Sequence, residues 1–228
     1  MHDWVAWHEN YDDPTSPLAV RLALVQGHLA DALTSAPAGP VRLLSLCAGQ
    51  GHDVLGTLPG HPRRRDVTAV LVEANPQNAA TARRHAADAG LAEAVDVREG
   101  DAGLVATFAD ALPADILLLC GIFGNVSDAD IRRTATAAAG MCAQSATVIW
   151  TRHRREPDLT PAIRCWFADA GFDEIAFEAP ATGTLTGVGV GRLRPDTARA
   201  AGAHAPDGRR LFTFTDLSQA AARTQRQP

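Results

Sequence analysis

An almost unbroken apolar run, ADILLLC at Ala114–Cys120, constrains the fold more than any other feature of the chain. A strand with one face in water alternates apolar and polar residues, whereas an unbroken run is typical of a strand covered on both faces of a parallel sheet. Other β-rich runs precede it at Val41–Leu46, Val67–Val72 and Val95–Val97 and follow it at Ala146–Thr151. Helical patterns separate these runs, so we predict an α/β fold with right-handed crossovers.

Two further β-rich runs, Glu174–Phe177 and Leu185–Leu193, have no helix between them. We expect them to pair as a hairpin, which makes one of them antiparallel to the rest. The prediction is therefore a three-layer sandwich with a mostly parallel seven-stranded sheet and an antiparallel final strand. We also expect a short helix at Leu104–Leu112 and a late strand at Leu211–Thr215.

The chain is predicted to have three parts. Residues 1–40 form an N-terminal cap and an amphipathic helix, whose apolar side chains recur at spacings of three and four from Leu18 to Leu33. Residues 41–195 hold the α/β domain, and residues 196–228 form a C-terminal extension whose last residues we expect to be flexible. The apolar face of the N-terminal helix covers either the sheet or a second subunit, so a homodimer is one expectation.

Charge and cysteine content argue against several classes of function. The net charge is −5 and no stripe of basic and aromatic residues is present, so we expect no nucleic-acid partner. No stretch is long and apolar enough to cross a bilayer, and the first residues lack the pattern of a signal peptide. We therefore expect no membrane contact and a cytoplasmic location. The four cysteines include no C-x-x-C pair, so no metal site is predicted.

The predicted sheet brings a glycine turn to the edge where ligands bind. Ligands of parallel α/β sheets sit beyond the carboxyl ends of the strands, and the first strand is followed there by Cys47-Ala48-Gly49-Gln50-Gly51. Small residues let the backbone approach a ligand, and the N-terminus of the next helix offers free N–H groups to an anion. The alternative is an ordinary tight turn between a strand and a helix.

Two carboxylates are predicted at the same edge. Glu73 closes the second run, where a carboxylate suits the two hydroxyl groups of a ribose. Asp101 follows the third run and could accept a hydrogen bond from the exocyclic amine of adenine, while the backbone N–H of Ala102 could bind the ring. The fourth run leads into Cys120-Gly121-Ile122-Phe123-Gly124-Asn125, which we expect to line the pocket with Ile122 and Phe123 as apolar walls.

From Val41 to Leu193 these features together resemble the class I methyltransferases, which use S-adenosylmethionine and have a Rossmann-like fold. The glycine motif of that family runs acid, apolar, Gly, x, Gly, x, Gly, and here it reads Ser45-Leu46-Cys47-Ala48-Gly49-Gln50-Gly51. Ser45 stands in the place of the acid and Cys47 in the place of the first glycine. The resemblance implies that residues 41–195 bind S-adenosylmethionine through Cys47, Ala48, Gly49, Gly51, Glu73, Ala74, Asp101, Ala102, Cys120 and Gly121.

The resemblance also implies transfer of the sulfonium methyl group by in-line displacement, in which the protein mainly positions the two reactants. His8, His52 and His153 are candidates for a general base, and we predict His153 and Asn125 as catalytic residues because they follow the fifth and fourth strands. Predicted substrate contacts are His8, Tyr11, Phe123 and Arg152. In this family a D/N-P-P-Y-like pattern after the fourth strand often marks transfer to a nucleobase or amide nitrogen. The fourth strand here does not end in that pattern, so we expect a small-molecule acceptor.

Three alternatives stay open. The same cofactor could donate or cyclise its aminocarboxypropyl arm and release methylthioadenosine, since Ser45 and Cys47 lie where that arm is expected. A nicotinamide-dependent oxidoreductase is disfavoured, because Val54 stands where its third glycine belongs and the sheet closes with a hairpin. A protein that binds the cofactor without catalysis is the third alternative.

Overall fold

The computed structural model of the protein describes residues 13–180, 185–197 and 210–215. Within these ranges seven strands form one sheet in the order β3-β2-β1-β4-β5-β7-β6. The strands are β1 (Val41–Leu46), β2 (Val67–Glu73), β3 (Val95–Glu99), β4 (Ala114–Leu119), β5 (Cys142–His153), β6 (Phe172–Glu178) and β7 (Thr186–Leu193). The α-helices are α1 (Pro17–Ser35), α2 (His52–Thr57), α3 (Pro76–Asp88), α4 (Asp128–Met141) and α5 (Thr160–Asp169).

Strand directions confirm the predicted sheet. Adjacent pairs among β1 to β5 are parallel, whereas β7 runs antiparallel to both of its neighbours, β5 and β6. The hairpin of β6 and β7 therefore inserts its second strand next to β5. Because β1 to β5 run the same way, the residues that follow them meet at one carboxyl edge.

The β4 strand separates two apolar cores, as its unbroken apolar sequence predicts. Leu117 and Leu119 pack into the core under α4 and α5, and Ile116 and Leu118 pack into the core under α1, α2 and α3. All four side chains are almost completely buried. Helices on both faces of the sheet make the three-layer sandwich that the alternation of runs and helices predicts.

The amphipathic α1 helix covers the sheet. Ser16 caps it by accepting a hydrogen bond from the Ala19 N–H at 3.0 Å, and proline stands in its first turn. Its buried side chains, Val25 and Leu29 among them, share a core with Val188 of β7. The sheet is therefore the surface that this apolar face packs against.

Two local predictions are wrong. The segment Leu104–Leu112 forms two 3-10 turns, Val105–Thr107 and Ala109–Ala111, because Phe108 leaves the helical conformation at φ −138° and buries its ring in the core. The segment Leu211–Thr215 forms no strand of the sheet. Only two isolated β-bridges occur there, one between Phe214 and Val126 and one between the preceding Arg210 and Leu104. These bridges join it to loops at the sheet edge, so no strand ladder forms.

Across the part of the chain that the structure describes, no helix combines the length and the hydropathy that crossing a bilayer requires.

Candidate functional site

The glycine turn after β1 folds the backbone back on itself. Ala48 donates its N–H to the Val72 carbonyl of β2 at 3.0 Å, and Gly51 donates to the Ala48 carbonyl at 2.9 Å. Cys47, Gly49 and Gly51 have φ angles of 57°, 58° and 78°, in the left-handed region. A Cβ at Gly51 would lie 2.7 Å from Leu55 Cδ1, so a side chain there would require Leu55 to shift and would also adopt a strained φ. Cys47 thus adopts a backbone conformation that favours glycine.

Glu73 joins this turn to the loop after β2. Its Oε2 accepts the Gly49 N–H and its Oε1 accepts the Asn75 N–H, each at 2.8 Å. Burial raises the pKa of Glu73 above its usual value, and the hydrogen bonds from these N–H groups oppose that shift. Each carboxylate oxygen can accept a further hydrogen bond, so Glu73 is held in place and still able to bind hydroxyl groups. Ala74, which follows it, is exposed.

Cys47 shows that the ends of β1, β2 and β3 converge. Burial raises the pKa of its thiol well above the ordinary value, and the charges of Glu73 and Asp101 add to the shift. Both carboxylates are therefore close to the sulfur, as the predicted cofactor site requires. A thiol held in its protonated form is a poor nucleophile, so Cys47 is unsuited to covalent catalysis.

Asp101 is bound by a segment that sequence reasoning did not connect with the site. Its Oδ1 accepts the Gly103 N–H at 2.8 Å, and its Oδ2 accepts a hydrogen bond from Arg210 Nη1 at 2.8 Å. Leu211 donates to the Gly103 carbonyl at 2.7 Å. Residues 210–215, which we name the C-terminal segment, thus border the position predicted for adenine. The neighbouring Ala102 side chain is buried.

The loop after β4 is braced from both sides. Gly121 donates its N–H to Thr151 Oγ1 of β5 at 3.0 Å, and its carbonyl accepts the side-chain amide of Asn125 at 2.7 Å. Thr215 of the C-terminal segment donates its N–H to the Asn125 carbonyl at 2.8 Å. The side chain of Asn125 therefore holds this loop in the structure, while its predicted catalytic role stays a prediction.

The rings and aliphatic groups of this loop turn inward, which corrects one expectation. Ile122 and Phe123 are predicted as walls of a pocket, but both side chains are fully buried. The Phe123 ring packs 6.2 Å from Trp150 and 6.3 Å from Phe167 between ring centroids. The turn that ends with Asn125 donating to the Ile122 carbonyl directs apolar side chains onto the sheet, where burial is favourable.

The carboxyl end of β5 carries the predicted base. The His153 ring lies against Gly124, where a Cβ would meet its Cδ2 at 3.4 Å. Burial, followed by the charges of Arg152 and Arg155, lowers the pKa of His153, so the imidazole is neutral at neutral pH. Its Nδ1 is buried and has no hydrogen-bond partner among the described groups. Arg152 donates from Nη1 to the Phe123 carbonyl, so this predicted substrate contact fixes the loop after β4.

The remaining predicted residues lie elsewhere. His8 and Tyr11 lie outside the described residues. His52 contacts the side chain of Gln50, with 3.3 Å between Nε2 and Oε1, and its ring centroid is 5.6 Å from that of His85.

Sequence reasoning missed two buried charged residues, Arg21 and Asp53, on the other side of the turn. Arg21 of α1 is only 8% exposed. Asp53 of α2 has a raised pKa because it is buried, and the charge of Arg21 opposes that shift. The same two charges act on the buried thiol of Cys120, whose pKa burial raises well above the ordinary value. The available signal was that Arg21 lies one turn before Val25, on the apolar face of the helix.

Several solved methyltransferase structures are similar to the chain. An O-methyltransferase family protein from Burkholderia thailandensis has a TM-score of 0.62 at 18% identity, over 85% of this chain and 61% of that one. Magnesium protoporphyrin IX methyltransferase from Synechocystis PCC 6803 has a TM-score of 0.60 at 9% identity, over 76% and 79%. A candidate tRNA (m1A22) methyltransferase from Streptococcus pneumoniae has a TM-score of 0.55 at 18% identity, over 81% and 76%. The chain has the fold of the class I methyltransferases.

This methyltransferase fold is the one that the glycine turn, the two carboxylates and the closing hairpin predict. The chain spans about 61% of the length of the Burkholderia protein. No protein-family model and no curated protein sequence matches it. A shared fold at such identities leaves activity to be argued from the side chains at the carboxyl edge.

Proposed function

We propose that the protein binds S-adenosylmethionine at the carboxyl edge of its sheet and transfers the methyl group to a small-molecule acceptor. The observation that carries the proposal is the Glu73 carboxylate, which is bonded to the N–H of Gly49 in the glycine turn at 2.8 Å. A partly buried acid fixed against a left-handed glycine turn suits the ribose of a nucleoside that the backbone approaches closely.

The residues at this edge fit the cofactor. Glu73 would bind the ribose hydroxyls, Asp101 and the Ala102 N–H would bind adenine, and Ala74 would contact the adenosine from the exposed end of β2. The other contacts would come from the backbone and small side chains of Cys47, Ala48, Gly49, Gly51, Cys120 and Gly121. When bound, the cofactor supplies a methyl group that its positively charged sulfur makes electrophilic.

The chain's own task is then to orient the acceptor and remove its proton. We assign proton removal to His153, which is neutral at neutral pH because burial and two arginines lower its pKa. Its Nδ1 is buried, so Nε2 is the atom that would take the proton. Arg152 and Asn125 hold the loop after β4 beside it through the Phe123 and Gly121 carbonyls. These contacts would keep the imidazole at a fixed position relative to the acceptor.

A small acceptor is preferred to a nucleic acid. The formal net charge is −5, whereas proteins that track nucleic-acid backbones usually carry clustered basic residues. One structural neighbour is a magnesium protoporphyrin IX methyltransferase, so the fold is compatible with a small acceptor. The Streptococcus neighbour makes tRNA the comparison to include in any substrate screen.

The proposal is tested by product analysis. Purified protein is incubated with S-adenosylmethionine and pools of small hydroxyl, amine and thiol acceptors, with bulk tRNA as a separate pool, and the products are identified by mass spectrometry. We expect S-adenosylhomocysteine together with a methylated small molecule. Methylthioadenosine as the nucleoside product would replace methyl transfer by chemistry on the aminocarboxypropyl arm. Methylated tRNA alone would overturn the small-molecule assignment.

A further inference from the structure

The carboxyl edge has a second half that the nucleoside contacts do not use. Cys47, at the end of β1, is close to Glu73 and Asp101. Cys120, at the end of the adjacent β4, is instead close to Asp53 and Arg21. The two thiols therefore mark two neighbouring regions, one lined by the acids assigned to adenosine and one containing a buried cation and a buried anion.

Arg21 is placed in this region by the packing of α1. It lies on the same helix face as Val25 and Leu29, at intervals of four residues, and both of those side chains are fully buried against the sheet. The Gln26 side chain donates to the His52 carbonyl at 2.9 Å, which joins α1 to the first turn of α2. The α1 helix is therefore fixed by its apolar face and by Gln26, and it places the Arg21 guanidinium at the carboxyl edge.

Asp53 has an unmet need for a hydrogen-bond donor. It lies in the first turn of α2, directly after the glycine turn, and its Oδ1 is buried with no hydrogen-bond partner among the described residues. Burying a carboxylate oxygen without a donor costs free energy. The same burial disfavours the ionised carboxylate and so raises the pKa of Asp53. A donor carried by a ligand would relieve this cost.

The glycine motif itself offers no charge for the same purpose. Ser45 occupies the position of the family's acid, and its side chain is buried within β1 with only 2% exposure. The charges of Arg21 and Asp53 both act on Cys120 at the end of β4. A cation and an anion in one region suit a zwitterion, because a guanidinium binds carboxylates through paired hydrogen bonds and a carboxylate accepts from an ammonium.

We propose that Arg21 and Asp53 bind the amino-acid end of S-adenosylmethionine, Arg21 its α-carboxylate and Asp53 its α-ammonium. This assignment rests on the proposed function, and it moves the recognition of the methionyl group from the glycine motif to the N-terminal helix and α2. It also predicts that affinity depends on both charged groups of the ligand. If Arg21 and Asp53 only stabilised the fold, the α-carboxylate and α-ammonium of the ligand would not affect its affinity.

The test compares four ligands by calorimetry: S-adenosylhomocysteine, its analogue without the α-carboxylate, its analogue without the α-amine, and methylthioadenosine, which lacks the whole amino-acid end. The proteins are wild type, Arg21→Met, Asp53→Asn and the control Arg42→Met. Arg42 lies at the opposite edge of the sheet, at the start of β1, where it pairs with Asp115 at the surface.

Arg21→Met is expected to weaken S-adenosylhomocysteine binding by about 10- to 100-fold, the usual effect of losing a hydrogen bond to a charged group. Its affinity for the analogue without the carboxylate and for methylthioadenosine should stay at the wild-type value. Asp53→Asn should show the same pattern with the analogue that lacks the amine. Arg42→Met should bind all four ligands as wild type does.

Two results would overturn the assignment alone: wild type binding methylthioadenosine as tightly as S-adenosylhomocysteine, or each variant losing equal affinity for all four ligands. The first of these needs only wild-type protein, so it decides the matter even where a variant does not fold. Failure of wild type to bind any of the four ligands would instead overturn the proposed function.

Discussion

Cys47 and Glu73 show how the site depends on single residues. Cys47 adopts a φ of 57°, a conformation that costs an L residue about 1–2 kcal/mol and that concentrates at functional sites. The neighbouring Glu73 carboxylate keeps the turn in this shape through its bond to Gly49. The sequence predicted both residues at the carboxyl edge, Cys47 within the glycine motif and Glu73 at the end of the second run, and the contact of Glu73 with a ribose stays a prediction.

The thiols provide a direct check of burial at the site. Burial raises the pKa of Cys47 and Cys120 well above the ordinary value, whereas Cys165 is exposed. Iodoacetamide at pH 8, followed by peptide mass spectrometry of the folded protein, should modify Cys165 while Cys47 and Cys120 stay unmodified. Rapid alkylation of Cys47 in folded protein would contradict the burial of its thiol near Glu73 and Asp101.

His153 is expected to affect turnover and not cofactor affinity. His153→Gln should lower kcat/KM by about 10²- to 10⁴-fold, the usual contribution of a general base, with no change in the Kd of S-adenosylhomocysteine. Because the pKa of His153 is lowered, wild-type activity should persist below pH 6.5 and fall as the imidazole becomes protonated. The control His28→Gln removes an imidazole of α1 that pairs with Glu178 of β6 at 2.9 Å. A wild-type pH profile in His153→Gln would remove His153 from the mechanism.

The C-terminal segment is the element that sequence patterning described least well. Its alternating apolar residues indicate a strand, yet the segment packs Leu211 and Phe212 against the core and pairs Arg210 with Asp101. A local pattern cannot show that the partner of such a segment is a set of loops more than 80 residues away. For the same reason the proximity of Arg21 and Asp53 was not foreseen, because the packing of α1 against α2 brings their charges into one region.

A pair of phenylalanines tests this packing. Phe212 is 1% exposed and Phe214 is 41% exposed. Phe212→Ala should lower the free energy of unfolding by about 3–5 kcal/mol, as for other buried phenylalanines. Phe214→Ala should cost at most about 1 kcal/mol. Urea denaturation followed by circular dichroism measures both, and equal losses would show that the C-terminal segment is not part of the core.

At the scale of the whole molecule, the number and directions of the strands and the layer structure followed from the sequence. Unbroken apolar runs identified the central strands, and the missing helix before Leu185–Leu193 identified the reversed strand. Element boundaries were less accurate: β5 begins at Cys142, four residues before the apolar run, because its first residues pair irregularly with β4. Such pairing depends on neighbours in the sheet and leaves no mark in a short apolar pattern.

The buried Asp53 carboxylate links stability to pH. Burial raises its pKa in the folded state, so its ionised form destabilises the fold, and this cost disappears as falling pH protonates the group. Asp53→Asn should therefore melt at a higher temperature than wild type at pH 7. The difference should narrow as the pH approaches 3.8, the ordinary value for an aspartate. Thermal melts across this range measure it, and a less stable Asp53→Asn at pH 7 would indicate that the carboxylate is fully satisfied in the fold.

Calorimetric titration with S-adenosylhomocysteine tests cofactor binding most directly. Wild-type protein is compared with Glu73→Gln and with Glu99→Gln, which changes an exposed acid at the end of the adjacent strand, paired in register with Glu73. We predict micromolar binding to wild type and to Glu99→Gln, and binding weakened by about tenfold or more in Glu73→Gln. Absence of binding to wild type, or equal affinity in all three proteins, would contradict a nucleoside site at the glycine turn.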